Sequence, residues 1–177
     1  MALRRIEELV NTYGIEMGSE DLADPPALAA WLTERALLDA SATVTPADLD
    51  RTRIVREGLR AMLGRNNAPT GEPASAAALD ALSATARTLP LTLDPGADPP
   101  ALVPLHDRNS VDAALARLLA DVAASVAAGT WARMKTCRED DCRWAYYDHS
   151  RNRSRAWCSM STCGNRAKAR AFRTRER

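Results

Sequence analysis

The chain has 177 residues, a mass of 19.2 kDa, and 24 Lys and Arg against 23 Asp and Glu, for a net charge of +1. So even a balance excludes a protein that binds nucleic acid by uniform positive charge, and no run approaches the roughly 20 apolar residues of a membrane-spanning helix. Met1–Glu8 carries arginines and glutamates where a secretory leader would be apolar, so the chain reads as soluble and cytoplasmic, with no membrane partner.

In chain order, residues 1–130 read as mostly helical. Asp24-Pro25-Pro26 opens a helix whose apolar side holds Leu28, Trp31, Leu32 and Leu38 at helical spacing, with Arg35 among them. Trp31 on that side reads as core. Thr45-Pro46-Ala47-Asp48 is a helix start, with Thr45 as N-cap and Asp48 at the third position; Leu49, Thr52, Val55, Leu59, Met62 and Leu63 form its face and Gly64 its stop. Asn66–Ala74, with Pro69, Gly71 and Pro73, reads as a flexible loop. An Ala-rich helix follows over 75–88. Leu89–Leu93 and Ala101–Leu105 flank Asp94-Pro95-Gly96 as a small hairpin, which the prolines confine to edge strands. Asn109 is the expected cap of a long helix with Asp112 at its third position, running to about Gly129 or on to Lys135. His106 stands alone and reads as structural or surface. No paired carboxylates, phosphate loop or nucleophile elbow occurs in this half, so the chain does not read as an enzyme.

The even balance is an average over two unlike parts. Residues 1–130 hold 11 Lys and Arg against 18 Asp and Glu, and residues 131–177 hold 13 against 5. All four cysteines, both lysines and six of the eight aromatics fall in the second part. We therefore expect two modules, 1–130 and 131–177, with different partners.

Cys137, Cys142, Cys158 and Cys163 are spaced C-x4-C-x15-C-x4-C. Two equal pairs joined by a linker of hairpin length can bring four thiolates to one tetrahedral point, the ligand set of one structural Zn2+. Four sulfurs close the coordination sphere, which leaves no place for an activated water. Two disulfides, free thiols or an iron–sulfur cluster are the other readings. The absence of an export signal counts against disulfides. Val, Leu and Ile are absent from 135–177, so this segment needs a staple to fold. Four thiolates and a zinc ion sum to −2, and Arg166 and Lys168 are candidates to offset that charge.

Between the pairs, Trp144 and Trp157 are expected to form a miniature core. Tyr146 and Tyr147 should face opposite sides of a strand, and Asp148 should hold an arginine or cap a turn. His149 is no obvious ligand. Ser150-Arg-Asn-Arg-Ser-Arg155 interleaves phosphate-binding side chains. Gly164 permits a tight turn at the metal. Beyond it Arg166, Arg170, Arg173 and Arg177 recur at i, i+4, i+7 and i+11, lining one helix face with guanidiniums flanked by Lys168 and Arg175. Asp148 is the only acid in 143–175, so the segment suits a nucleic-acid backbone.

Cys137, Cys142, Trp144, Asp148, Ser150-Arg151-Asn152, Ser154-Arg155, Trp157-Cys158-Ser159-Met160 and Cys163-Gly164-Asn165-Arg166-Ala167-Lys168 together resemble the CGNR zinc finger over about 45 residues. Leu9-Val10-Asn11-Thr12 and Leu28-Ala-Ala-Trp31-Leu32 resemble the opening of ABATE, the stress-induced transcription regulator domain that precedes this finger in the family. The resemblance implies a bacterial transcription regulator. Its finger would contact DNA and its N-terminal domain would act as sensor or interaction module.

The combined expectation is an α+β chain: a mostly helical N-terminal domain with a small β-hairpin, then a four-cysteine zinc finger built of a short β-hairpin and a basic helix. Duplex DNA would be met by Arg151, Asn152, Arg153, Arg155, Asn165, Arg166, Lys168, Arg170 and Arg173. A small-molecule effector and a second subunit are further expected partners. Attraction between the acidic and basic parts could clasp the finger against the helical domain in a salt-sensitive way. An RNA-binding module, with Tyr146, Tyr147 and Phe172 as stacking platforms, or a protein-interaction zinc module, are the alternatives.

Overall fold

A computed structural model describes residues 2–67, 73–105 and 109–175. Among them are six helices, α1 (Ala2–Val10), α2 (Pro25–Glu34), α3 (Pro46–Arg65), α4 (Pro73–Ala86), α5 (Val111–Ala127) and α6 (Asn165–Arg175). Three two-stranded antiparallel hairpins accompany them: β1 (Tyr13–Gly14) with β2 (Ser19–Glu20), β3 (Leu91–Asp94) with β4 (Ala101–Pro104), and β5 (Met134–Thr136) with β6 (Ala145–Tyr147). No described helix is long and apolar enough to cross a membrane. The fold is α+β, and the expected helices and the 89–105 hairpin are present.

The helix starts follow from their caps. Asp24 accepts from Ala27 N at 2.8 Å ahead of Pro25 and Pro26. Thr45 and Asp48 close a reciprocal capping box that pins the start of the 20-residue α3. Several boundaries differ from the sequence reading. Ala36 turns left-handed at φ 53°, so α2 stops before Leu38, which still reaches the core from the loop. Helix α3 passes Gly64 and ends at Arg65. Ser110, not Asn109, caps α5 by accepting from Ala113 N at 3.2 Å, while Asn109 Oδ1 accepts from Asp39 N. Helix α5 ends at Ala127, because Gly129 at φ 67° reverses the chain before one 3₁₀ turn leads into β5. His106 lies outside the described residues.

Helix α3 is the central post and touches α1, α2, α4, α5 and β5. Leu49, Val55, Leu59 and Leu63 of α3 enter one core with Ile6, Leu9, Val10, Leu28, Trp31, Leu32, Leu115 and Leu118. Helix α4 comes very close at Gly58, where an added Cβ would stand 2.4 Å from Leu82 Cβ.

The same post carries two buried arginines, 4% and 5% exposed, that the hydrophobic pattern did not reveal. Arg56 holds Glu20 through two bonds of 2.7 and 2.8 Å and donates to Thr12 Oγ1 at 3.1 Å. Arg60 donates to the carbonyls of Val10 (2.7 Å), Tyr13 (2.9 Å) and Arg143 (3.1 Å). Glu57 accepts from both arginines, so neither buried cation is unpaired. Burial acts to raise the Glu20 carboxyl, but the Arg56 bonds outweigh it and hold it below the usual range. A depressed carboxyl stabilises the fold above its unfolded pKa and loses that contribution as pH falls through the folded one. Glu20→Gln should therefore cost about 2 kcal/mol at pH 7, with the gap to the unsubstituted chain closing below about pH 4. Denaturant titrations across pH check this, and a gap independent of pH would refute it.

Candidate metal centre and basic face

The β5–β6 hairpin pairs Met134 with Tyr147, Lys135 with Tyr146 and Thr136 with Ala145. Met134 and Ala145 are fully buried and belong to the N-terminal core. Side-chain amides complete the docking. Asn11 Nδ2 donates to Ala145 O at 3.0 Å and Asn11 Oδ1 accepts from Ala145 N at 2.7 Å, so this side chain pairs with β6 as a strand backbone would. Asn66 Nδ2 donates to Trp131 O and Met134 O at 2.9 and 2.8 Å. Asn67 Nδ2 donates to Thr136 O (2.7 Å) and Ala156 O (2.9 Å), and its own carbonyl accepts from Arg138 Nε at 2.8 Å. Asn66 and Asn67 therefore do not begin a flexible loop, and Pro73 already opens α4. Residues 68–72 of that expectation lie outside the described residues. The docking is mainly apolar and hydrogen-bonded, and one exposed ion pair, Arg166 with Glu16, joins the acidic and basic parts as a charge clasp would.

The hairpin and the turn after it bring the cysteines together. Cys137 leaves β5 with its N–H on Trp144 O at 2.9 Å, and Cys142 closes a turn on Glu139 O at 2.9 Å. Cys163 sits in a single π-helical turn, Met160–Gly164, that leads into α6. All four Sγ atoms lie within 4.8 Å of one another, with Cys142–Cys158 at 3.6 Å and Cys158–Cys163 at 3.7 Å. These separations exceed a disulfide bond, and all four cysteines are free. Four sulfurs about 2.3 Å from one zinc ion would stand about 3.8 Å apart, so the donor set fits one structural Zn2+. Burial, then the neighbouring sulfurs, pushes the Cys158 thiol up, and burial foremost takes Cys163 up to about 12. Thiols so placed need a cation to ionise. Gly164 is needed for space, since an added Cβ would stand 2.6 Å from Met160 Sδ and 3.1 Å from Trp157 Cδ1.

Around the centre the expected supports change partner. Trp144 is exposed and Trp157 half-buried, so they form no miniature core; Met134 and Ala145 supply the apolar contact. Tyr146 is buried, with its hydroxyl donating to Arg155 O at 2.7 Å, and Tyr147 packs against the N-terminal core. His149 is exposed with its ring 4.7 Å from that of Tyr147. Asp148 is fully buried and caps a turn as expected, its Oδ1 accepting from Ser150 N at 2.9 Å, while its Oδ2 accepts from Arg155 N at 3.0 Å and from Lys135 Nζ at 2.8 Å, a lysine in place of an arginine side chain. Burial would raise this carboxyl, yet the bonds from Lys135 and Ser150 hold it well below the usual range. Lys135 also donates to Arg153 O and Arg155 O, so one ion pair shapes the whole 148–155 loop.

The basic side chains divide into two sets. Arg155 is spent internally: it donates to Trp157 O at 2.8 Å and to Cys158 O, and lies over the Tyr146 ring. Arg166 pairs with Glu16 at 2.7 Å, and Arg170 grips the buried Glu139 through two bonds of 2.7 Å. The contact to Glu16, with a smaller contribution from Cys163, raises the Arg166 guanidinium. Arg151, Asn152, Arg153, Lys168 and Arg173 are exposed, and none of them pairs with an acid among the described residues. Asn165 is exposed, with its amide donating to Ser161 O at 3.1 Å. Arg177 lies outside the described residues.

A model of the ABATE family, described as "Putative stress-induced transcription regulator", matches residues 3–130, and the CGNR zinc finger model matches residues 133–176. The chain belongs to the ABATE family. A search of curated proteins finds no match to it. Both matched families are regulatory or zinc-binding kinds and not enzymatic ones, and the CGNR finger is a zinc site by its four sulfurs.

The ABATE–CGNR contact is what sequence reasoning missed. Asn11 lies in the Leu9–Thr12 stretch and Asn66 and Asn67 at the polar end of α3; a polar side chain that bonds a distant backbone leaves no periodic signal. Chelating the zinc should lower the melting temperature of the whole chain by roughly 10 °C or more, because finger and helices share one core. Calorimetry showing an unchanged ABATE transition would refute this. Asn67→Ala strands the Thr136 and Ala156 carbonyls. It should cost about 2 kcal/mol and speed zinc loss to a chromogenic chelator.

Proposed function

We propose that this chain is a zinc-dependent DNA-binding transcription regulator. Residues 131–177 would contact duplex DNA, and residues 1–130 would serve as a sensor or interaction domain. Zinc held by Cys137, Cys142, Cys158 and Cys163 would fold the finger without taking part in chemistry, and the chain would be no enzyme. The cytoplasm of a bacterium is the setting this role implies.

One observation carries the reading. Arg151, Arg153, Lys168 and Arg173 are exposed and unpaired with any acid among the described residues, in a stretch where Asp148, buried, is the only acid between 143 and 175. Such a surface suits phosphate oxygens. Arg151, Asn152 and Arg153 on the loop would supply backbone contacts, with Lys168, Arg173 and Asn165 on the helix. Arg155, Arg166 and Arg170 are committed to partners within the chain, so their part would be to hold the finger's shape. The RNA alternative is the weaker one, since of its three stacking platforms Tyr146 is buried, Tyr147 packs inward and only Phe172 is exposed. An open cleft of about 440 Å³ lined by Arg4, Arg5, Glu8, Glu34 and Arg35 is where a small-molecule effector of the ABATE domain would fit. A second subunit remains part of the proposal as a dimer partner.

Anisotropy titrations of the zinc-loaded chain against a duplex pool test this. Affinity should fall steeply with salt, and Arg151→Ala and Arg153→Ala should each weaken binding and flatten the log–log slope by about 0.9. An affinity unchanged between low and high salt would defeat the proposal.

A further inference from the structure

The sequence pattern points to the Arg166, Arg170, Arg173 stripe of α6 as the side that meets nucleic acid, but ion pairs engage two of its three guanidiniums and leave Arg173 unpaired with any acid among the described residues. Arg166 is held by Glu16 of the β1–β2 turn and Arg170 by the buried Glu139 of the first cysteine loop. Both arginines stay partly exposed, at 42% and 53%, so these pairs tether α6 to the protein without burying its arginine side. At 100° per residue, Lys168 and Phe172 fall on the far side of the helix, one turn apart. Phe172 is 62% exposed there, and Ala169 and Ala171 beside it are exposed and small enough for close approach.

We infer that α6 meets a DNA duplex with this outer face. Phe172 lies against base edges in the major groove and Lys168 reaches a neighbouring guanine or phosphate. The inference rests on the DNA-binding reading above and specifies its contact surface. Charge decides the occupant: no acid occurs from 149 to 175, and Lys168 and Arg173 near Phe172 are exposed and unpaired with any acid among the described residues. Size agrees, since the 11 residues of α6 form a rod that a major groove of about 12 Å admits. Lys168 and Phe172 are about 6 Å apart along the axis, close to two base-pair steps. A phenyl ring in this groove recognises the thymine methyl, and an ammonium the guanine acceptors. The ion-paired arginines then fix the helix so that these two side chains arrive in register.

Selection of bound sequences from a random duplex pool by the zinc-loaded full chain tests this. The unsubstituted chain should enrich a motif containing thymine. Phe172→Ala should lower affinity for that motif about tenfold and erase the preference at that position, with zinc content and circular dichroism unchanged, and Phe172→Leu should retain part of it. Arg166→Ala, which releases one tether of the helix, should enrich the same motif at lower affinity. The inference is overturned if Phe172→Ala enriches the same motif at the same affinity. Tighter, Phe172-dependent binding to single-stranded RNA would overturn the duplex as occupant. Absence of any salt-dependent duplex binding by the unsubstituted chain would instead defeat the DNA-binding reading itself.

Discussion

Residues 135–177 contain no Val, Leu or Ile, and a segment so poor in aliphatic side chains cannot bury enough surface to hold itself together. Everything distinctive in this molecule answers that shortage. Four sulfurs converge on a metal position at one end of the finger. At the other end Met134 and Ala145 enter a core built by the helices, and Asn11, Asn66 and Asn67 fasten the intervening backbone with side-chain amides. Metal and helical domain thus hold the finger from two sides, and Asp148 with Lys135 stiffens the loop between.

Helix α3 makes this arrangement possible. Its apolar side fills the core, its buried Arg56 and Arg60 collect the turn after α1, and its last residues lead straight into the two asparagines that clasp the hairpin. Arg60 reaches Arg143 O just after the first cysteine pair, so one helix addresses both ends of the finger. The capping box at Thr45 and Asp48 sets where that post begins and so its register against all its neighbours.

Those features that obey local rules were legible in the sequence. The Asp24 and Thr45 caps, the Leu91–Pro104 hairpin and the cysteine spacing each follow from turn chemistry, periodicity or metal geometry, which act over a few residues. Features set by distant partners were hidden. The helical period places Arg166 and Arg170 correctly on one face, but whether their guanidiniums are unpaired depends on Glu16, far back in the chain, and on Glu139. Asn109 lost the cap to Ser110 because its side chain was claimed by the backbone of Asp39. The two tryptophans beside the cysteine pairs looked like a local core because nothing local shows that the helices supply one.

The Asn11–Ala145 pairing has a thermodynamic corollary. Each of its two hydrogen bonds exists only when the turn after α1 and the strand after Cys142 are both formed. Folding of the chain's first turn and capture of the ion by cysteines near its other end are therefore linked equilibria. Linkage is reciprocal, so whatever loosens the helical domain weakens its grip on the metal by the same free energy with which the metal steadies the helices. The metal affinity of this finger is thus a property of the entire chain, and a peptide carrying the four cysteines alone would hold its ion less tightly than they do in place.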